Sequence, residues 1–342
     1  MGEKHAVRLE PVGIEFEVDE DETVLNGAFR QGLMLMHGCK EGQCGACKSF
    51  LLDGEVDLDR YSTFALPDYE LDEGWTLLCR AHAVSDLEVE LINYDEEILQ
   101  SGVALRTARA RVEAIEELTR DIRRLVLKVE DGEMPFRSGQ YVDIGIPGTE
   151  ESRSFSMANL PSDDGRLEFM IKLYPGGTFS SLLADGALQV GDELDVTGPY
   201  GVFTLRENER PILFIGGGAG MAPILSLVRS MAERGVSRPA VYYYGAREEQ
   251  DLFHLAELAA LQETLPGFRF VPALSDTDKW EGETGLITDV VERQEQGLDE
   301  VDAYLCGPPP MVEAAQEMLM RLGVDEARIH YDKFTTSATT EE

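Results

Sequence analysis

His37-Gly38-Cys39-Lys40-Glu41-Gly42-Gln43-Cys44-Gly45-Ala46-Cys47 sets three cysteines in the pattern C-x4-C-x2-C, and a fourth, Cys79, follows further along. Three thiols on one tight loop can aim at a single point. Glycines at 38, 42 and 45 let backbone N–H groups turn inward toward the sulfurs. Two other readings compete. Structural zinc usually comes as two C-x2-C knuckles, whereas Cys79 stands alone. Disulfides belong to oxidising compartments, and no apolar leader precedes these cysteines.

The spacing resembles that of plant-type [2Fe–2S] ferredoxins, in which four thiolates hold a two-iron, two-sulfide cluster. The resemblance makes Cys39, Cys44, Cys47 and Cys79 the metal ligands of an electron carrier. Residues 4–98 fit around that loop. Val7 to Val18 alternates about Pro11-Val12-Gly13 as a hairpin would, Val24 to Gln31 reads as a helix, and Ser49 to Leu52 and Leu87 to Leu91 read as strands. This is the outline of a β-grasp ferredoxin domain.

After a connector at 99–105, residues 106–207 are strand-rich. Candidate strands are 109–115, 125–129, 141–146, 153–157, 167–172 and 193–197, separated by Pro/Gly turns, which suggests a small antiparallel barrel. From 208 to 334 strands alternate with helices, the signature of a doubly wound parallel α/β sheet. The tail Thr335 to Glu342 reads as a frayed end.

Composition bounds the partners. Of 342 residues 43% are hydrophobic and 28% charged, as in globular proteins. The net charge of −35 opposes nucleic acid binding. Residues 1–98 hold 7 Lys/Arg against 23 Asp/Glu. That acidity either keeps the chain soluble or steers a basic partner protein. The start shows neither a signal peptide nor a myristoylation motif, and no stretch has the ~18 apolar residues of a membrane helix. A cytoplasmic monomer is expected. The five histidines form no metal-ligating pair.

Two further motif groups carry chemistry. Arg153-Ser154-Phe155-Ser156 offers an arginine for a pyrophosphate, an aromatic to flank a flavin ring and a serine for its reactive nitrogen. Ile171-Lys172 and the turn Gly176-Gly177-Thr178-Phe179-Ser180, which opens a helix, follow it. Gly216-Gly217-Gly218-Ala219-Gly220-Met221-Ala222-Pro223 joins a strand to a helix, where dinucleotide phosphates bind, although it misses G-x-G-x-x-G. Proline is well tolerated at a helix start. Cys306-Gly307-Pro308-Pro309-Pro310-Met311 repeats the strand-end setting, with Cys306 either a buried apolar residue or a nicotinamide contact. Tyr244 and Arg247 end the second strand, where the adenosine should lie, and Glu248, Glu249 and Asp251 there favour NADH over NADPH.

Taken together, the chain resembles the ferredoxin–NAD reductases that serve bacterial multicomponent monooxygenases. The resemblance implies FAD, NADH and a [2Fe–2S] cluster, with electrons passing from nicotinamide through flavin and cluster to a di-iron hydroxylase. It also implies that Ser156 lies beside flavin N5, that Gly217 to Pro223 line the nucleotide phosphates, that Cys306 sits by the nicotinamide, and that Phe334 of Tyr331-Asp332-Lys333-Phe334 covers the flavin. Phe155 departs from the usual tyrosine and loses one hydroxyl contact. Reductases of ring-hydroxylating dioxygenases share the domain order, as does a sugar-deoxygenating reductase. A redox sensor would have no need of Phe334 or a hydride path.

Overall fold

The computed structural model describes the chain except residues 1, 96–97, 100–101, 278 and 335–342, so the expected frayed tail lies outside the described residues. Two compact units emerge, one of Met1–Thr107 with Gly198–Val202 and one of Ala108–Thr197 with Phe203–Glu342.

In the first unit, β1 (Lys4–Glu10) pairs antiparallel with β2 (Ile14–Asp19), as the hairpin alternation requires. Val7, Leu9 and Val18 are fully buried and their neighbours exposed, the period-2 pattern of a sheet with one covered face. β3 (Lys48–Asp53) and β7 (Leu87–Glu90) extend that sheet, and β1 and β7 run parallel. Helix α1 (Val24–Arg30) is capped by the Thr23 side chain, which accepts from the Asn26 N–H, and buries Val24, Leu25, Ala28 and Phe29. This is the expected β-grasp outline. Strands β4 (Val56–Leu58), β5 (Trp75–Leu77) and β6 (Ala81–Ala83) and helix α2 (Asp68–Glu73) were not expected. Three residues are too few to show a period. Cys79 sits in the turn between β5 and β6.

The strand-rich block forms a six-stranded antiparallel sheet from β8 (Arg106–Thr119), β9 (Ile122–Val129), β10 (Tyr141–Gly145), β11 (Ser152–Ser156), β12 (Arg166–Lys172) and β13 (Glu193–Tyr200). Strand β8 outruns its expected length because two register shifts let it bend and keep its pairing with β9. Helix α3 (Thr178–Ala184) follows β12.

The last block is a six-stranded parallel sheet in the order β17-β16-β15-β14-β18-β19. Its members are β14 (Ile212–Gly217), β15 (Ala240–Ala246), β16 (Phe268–Leu274), β17 (Glu283–Thr284), β18 (Asp302–Gly307) and β19 (Ile329–Lys333). Strands β14 and β18 are buried at every position, as a sheet covered on both faces demands. Helices α4 (Met221–Arg234) and α5 (Leu255–Thr264) bury residues in one core, and α6 (Ile287–Gln294) and α7 (Pro309–Arg321) in the other. Strand order reverses between β14 and β18, and their C-terminal ends form the crevice where such sheets bind ligands. Helix α6 and strands β17 and β19 add to the expected elements. No helix among the described residues is long and apolar enough to cross a membrane.

Candidate functional site

The cysteine loop leaves α1 by way of His37, whose Nδ1 lies 2.7 Å from the Leu35 carbonyl and whose ring rests on Phe29 at 4.7 Å. Backbone N–H groups then aim at sulfur. Glu41 and Gln43 donate to Cys39 Sγ at 3.4 and 3.2 Å, and Cys39 N–H donates to Cys44 Sγ at 3.3 Å. The Gly42 N–H does the same for Cys79. The four free thiols fall into two hydrogen-bonded pairs, Cys39 with Cys44 and Cys47 with Cys79. A two-iron cluster takes four cysteine thiolates, and these four would supply them. Cys39 is held down to about 5, first by the hydrogen bond from the Cys44 thiol and then, against the cost of burial, by the N–H groups of Glu41 and Gln43. The opposite shift of Cys44 reflects one proton shared within the pair. The backbone donors favour thiolate on both, which is the form that binds iron. The residues fit a [2Fe–2S] cluster.

In the second unit, Ser156 ends β11 and is buried, and its Oγ donates to Asp332 Oδ2 at 3.3 Å. Asp332 stands opposite Cys306 in the parallel pairing of β18 with β19, and Cys306 stands opposite Gly216 across β14. Ser156, Cys306 and Asp332 thus converge at the crevice, and sequence reasoning missed Asp332. Only its place beside the closing aromatic hinted at it. Desolvation pushes the Asp332 carboxyl up to about 6, opposed by the Ser156 hydrogen bond. The residue as a whole keeps some exposed surface, but the carboxyl's own surroundings govern the shift. Burial also raises the Cys306 thiol, helped by the Asp332 charge, so Cys306 is a neutral packing group and not a nucleophile. Phe334, half-buried against the same core, donates its N–H to the Gly307 carbonyl at 2.9 Å.

The remaining flavin-motif residues divide. Phe155 packs on Phe179 and Phe169, with centroids at 4.9 and 6.4 Å, and keeps part of its ring exposed. Arg153 is half-buried and contacts Glu151 (2.8 Å) and the Ser152 carbonyl (2.7 Å). Ser154 is turned to the solvent side and donates to Asp143 at 2.6 Å. The Ile171 side chain lies in the barrel core, and Lys172 pairs with Asp121. Ser180 is engaged within its own turn, donating to the Tyr174 and Gly177 carbonyls at 3.0 and 3.2 Å. Gly177 caps α3 without a side-chain acceptor, and Gly176 and Thr178 flank it, both exposed. What the turn offers an anion is backbone N–H groups.

The nucleotide turn explains its glycines. Gly218 takes φ +57°, and the space above it is open for 4 Å. A Cβ on Gly220 would stand 2.2 Å from the Cys306 carbonyl oxygen, so the turn after β14 can approach the end of β18 only without a side chain. The Tyr244 hydroxyl donates to the Gly218 carbonyl at 3.1 Å and braces the turn from within the core. Ala219 and Met221 are buried, and Pro223 sits in the first turn of α4, where its missing N–H has no helical acceptor to lose. Across the crevice, Pro308 caps α7, and the Met311 sulfur would lie 2.7 Å from a Cβ on Gly217. Arg247 is exposed just beyond β15. Next to it opens a cavity lined by Glu248, Glu249, Gln250, Asp276 and Thr277, of which only Glu248 and Glu249 were expected from the sequence. A turn with open space above a glycine, at a strand end in the switch crevice, fits a dinucleotide.

Fold and site together define an iron–sulfur flavoprotein that oxidises a nicotinamide cofactor. Three family models match in order: a 2Fe-2S iron-sulfur cluster binding domain over residues 7–84, an oxidoreductase FAD-binding domain over 109–205 and an oxidoreductase NAD-binding domain over 214–317. The propane 2-monooxygenase reductase component of Mycolicibacterium goodii is 52% identical over 344 residues, covering 98% of this chain and 99% of that protein. The phenol 2-monooxygenase reductase component of Pseudomonas sp. strain CF600 is 36% identical, over 97% and 95%. A crystal structure of an Amycolatopsis cytochrome P450 reductase superposes with a TM-score of 0.88 at 35% identity, over 97% and 99%. The chain belongs to the reductase components of multicomponent monooxygenases.

When bound, FAD exchanges a two-electron donor, NADH, for a one-electron acceptor, the cluster. The chain's own residues arrange that exchange. Asp332 accepts from Ser156 and so orients its hydroxyl in the crevice. Cys306 and Phe334 add apolar surface from the same core, which would limit water beside a bound ring. The cysteine loop aims N–H donors at sulfur, which would stabilise the negative charge of a cluster held there.

Proposed function

We propose that this chain carries electrons from NADH to the di-iron hydroxylase of a propane-type monooxygenase. The observation that carries the reading is the convergence of Ser156, Asp332 and Cys306 on the nucleotide crevice, in a chain that also holds four paired thiols. The 52% identity to a propane 2-monooxygenase reductase over nearly the full length supports the choice of partner. In this reading the domains are residues 4–98, 106–207 and 208–334. Arg153 and the N–H groups of Gly176 to Ser180 take the FAD pyrophosphate, while Phe155, Ile171 and Lys172 flank the flavin. Ser156 faces its reactive nitrogen and Phe334 covers the ring. Gly217 to Pro223, Gly307, Pro308 and Met311 hold the nicotinamide dinucleotide, Cys306 lies by its ring, and Tyr244 and Arg247 stand at the adenosine end. The protein works as a cytoplasmic monomer and engages neither membrane nor nucleic acid.

Reconstitution tests this. NADH, the holoprotein and the hydroxylase component of a propane 2-monooxygenase should together oxidise propane. Electron delivery to a Rieske dioxygenase in preference to that hydroxylase would move the chain to the other branch of the family.

A further inference from the structure

The cluster-bearing unit exposes an aromatic side chain that its own core does not use. Phe64 is 88% exposed, in the segment between β4 and α2. Tyr69 follows at 63% and Leu71 at 38%, on a helix that buries no residue. The segment is not loose. On one side of Phe64, the Ser62 N–H donates to the Gly42 carbonyl of the cysteine loop at 3.0 Å. On the other, the Ala65 carbonyl lies 3.4 Å from where a Cβ on Gly45 would stand, and Ala65 and Leu66 are buried. Phe64 is therefore held out to solvent between a hydrogen bond to the loop that carries Cys39, Cys44 and Cys47 and a close approach to it at Gly45.

Its surroundings select the partner. Residues 53–73 contain eight Asp and Glu against the single basic residue Arg60. A second copy of this face would be repelled, and only a basic surface complements it. Exposed aromatics ringed by polar groups are a common form of interface anchor. We propose that Phe64, with Tyr69 on α2, is the apolar anchor by which the cluster-bearing unit docks on its electron-accepting protein, whose docking face is basic and carries an apolar socket. This rests on the reading that the chain supplies an oxygenase component. Docking there would seat the acceptor against the cysteine loop.

The test uses Phe64→Ala and Phe64→Trp in the full-length holoprotein, with the Mycolicibacterium goodii propane 2-monooxygenase hydroxylase component as probe. Losing the anchor should raise the KM for that component roughly tenfold or more. The Trp variant should stay within about threefold of wild type, and the KM should rise with salt. NADH-driven dye reduction and the rate at which NADH reduces the cluster should not change. An unchanged KM in Phe64→Ala overturns the inference. So does slowed cluster reduction by NADH, which would assign Phe64 to the internal step. If wild-type protein drives no turnover with the hydroxylase, the functional reading fails and takes this inference with it.

Discussion

The chain should prefer NADH to NADPH, and the carboxylates beyond β15 are the groups expected to set that preference. The cavity beyond β15 is lined by Glu248, Glu249 and Asp276, and a 2′-phosphate there would face carboxylates. Not all the acids nearby are equally free to act. Asp251 takes Arg120 at 3.1 Å and the Glu248 N–H at 3.2 Å, and Glu248 closes the same capping box. Glu249 and Asp276, both exposed, are the carboxylates with most freedom to meet the phosphate. One carboxylate at ~4 Å from a phosphate charge costs roughly 4 kcal/mol at an effective dielectric of 20. Solvent and salt reduce this at an exposed site, and about a third of it survives as roughly tenfold discrimination. Arg247 opposes the effect if it turns to the phosphate. Steady-state kcat/KM with a dye acceptor should therefore favour NADH about tenfold or more. The ratio should fall several-fold in Glu249→Gln/Asp276→Asn and shrink at 0.5 M salt. NADPH used as well as NADH by wild type, or a ratio untouched in the double variant, would refute the electrostatic argument.

Other outcomes follow from the same geometry. Phe334→Ala should bind oxidised dinucleotide more tightly and discriminate less between NADH and NADPH, as measured by titration and kinetics. Asp332 ionises as pH rises through about 6, so flavin reduction by NADH should weaken below that pH and lose this midpoint in Asp332→Asn. Because that carboxyl is raised above its ordinary range, its contribution to stability falls between about pH 4 and 6, and the Asn variant should gain melting temperature relative to wild type at pH 8. Asp302 is buried against Arg238 at 3.1 Å and accepts from Asn208 at 2.8 Å. Asp302→Ala leaves the buried Arg238 guanidinium its two carbonyl acceptors but no counter-charge, and should lose about 3 kcal/mol in denaturant unfolding.

Local chemistry was legible in the sequence and long-range pairing was not. The cysteine loop and the Gly216 to Pro223 turn each lie within a dozen residues, and each strand or helix of the alternation after them is similarly local, so pattern and family resemblance revealed them. Asp332 reaches Ser156 because β19 pairs in register with β18, and His330-Tyr331-Asp332-Lys333 has no apolar alternation to announce a strand. Asp276 joins the cavity beyond β15 only because β15 and β16 end side by side, with its N–H on the Arg247 carbonyl at 2.9 Å. Ser180 shows the converse. It was expected as a cofactor contact, yet its hydroxyl is taken by its own turn, which sequence pattern cannot reveal.

The linear order of electron transfer is tested most directly by Cys44→Ser. The variant should lose the cluster's visible absorbance and all delivery to the hydroxylase. It should still reduce a flavin-accepting dye with NADH at close to the wild-type rate, because Ser156, Cys306, Asp332 and the nucleotide turn all lie in the other unit. Dye reduction lost in a folded variant with FAD bound, or hydroxylase turnover kept without the cluster, would contradict the account.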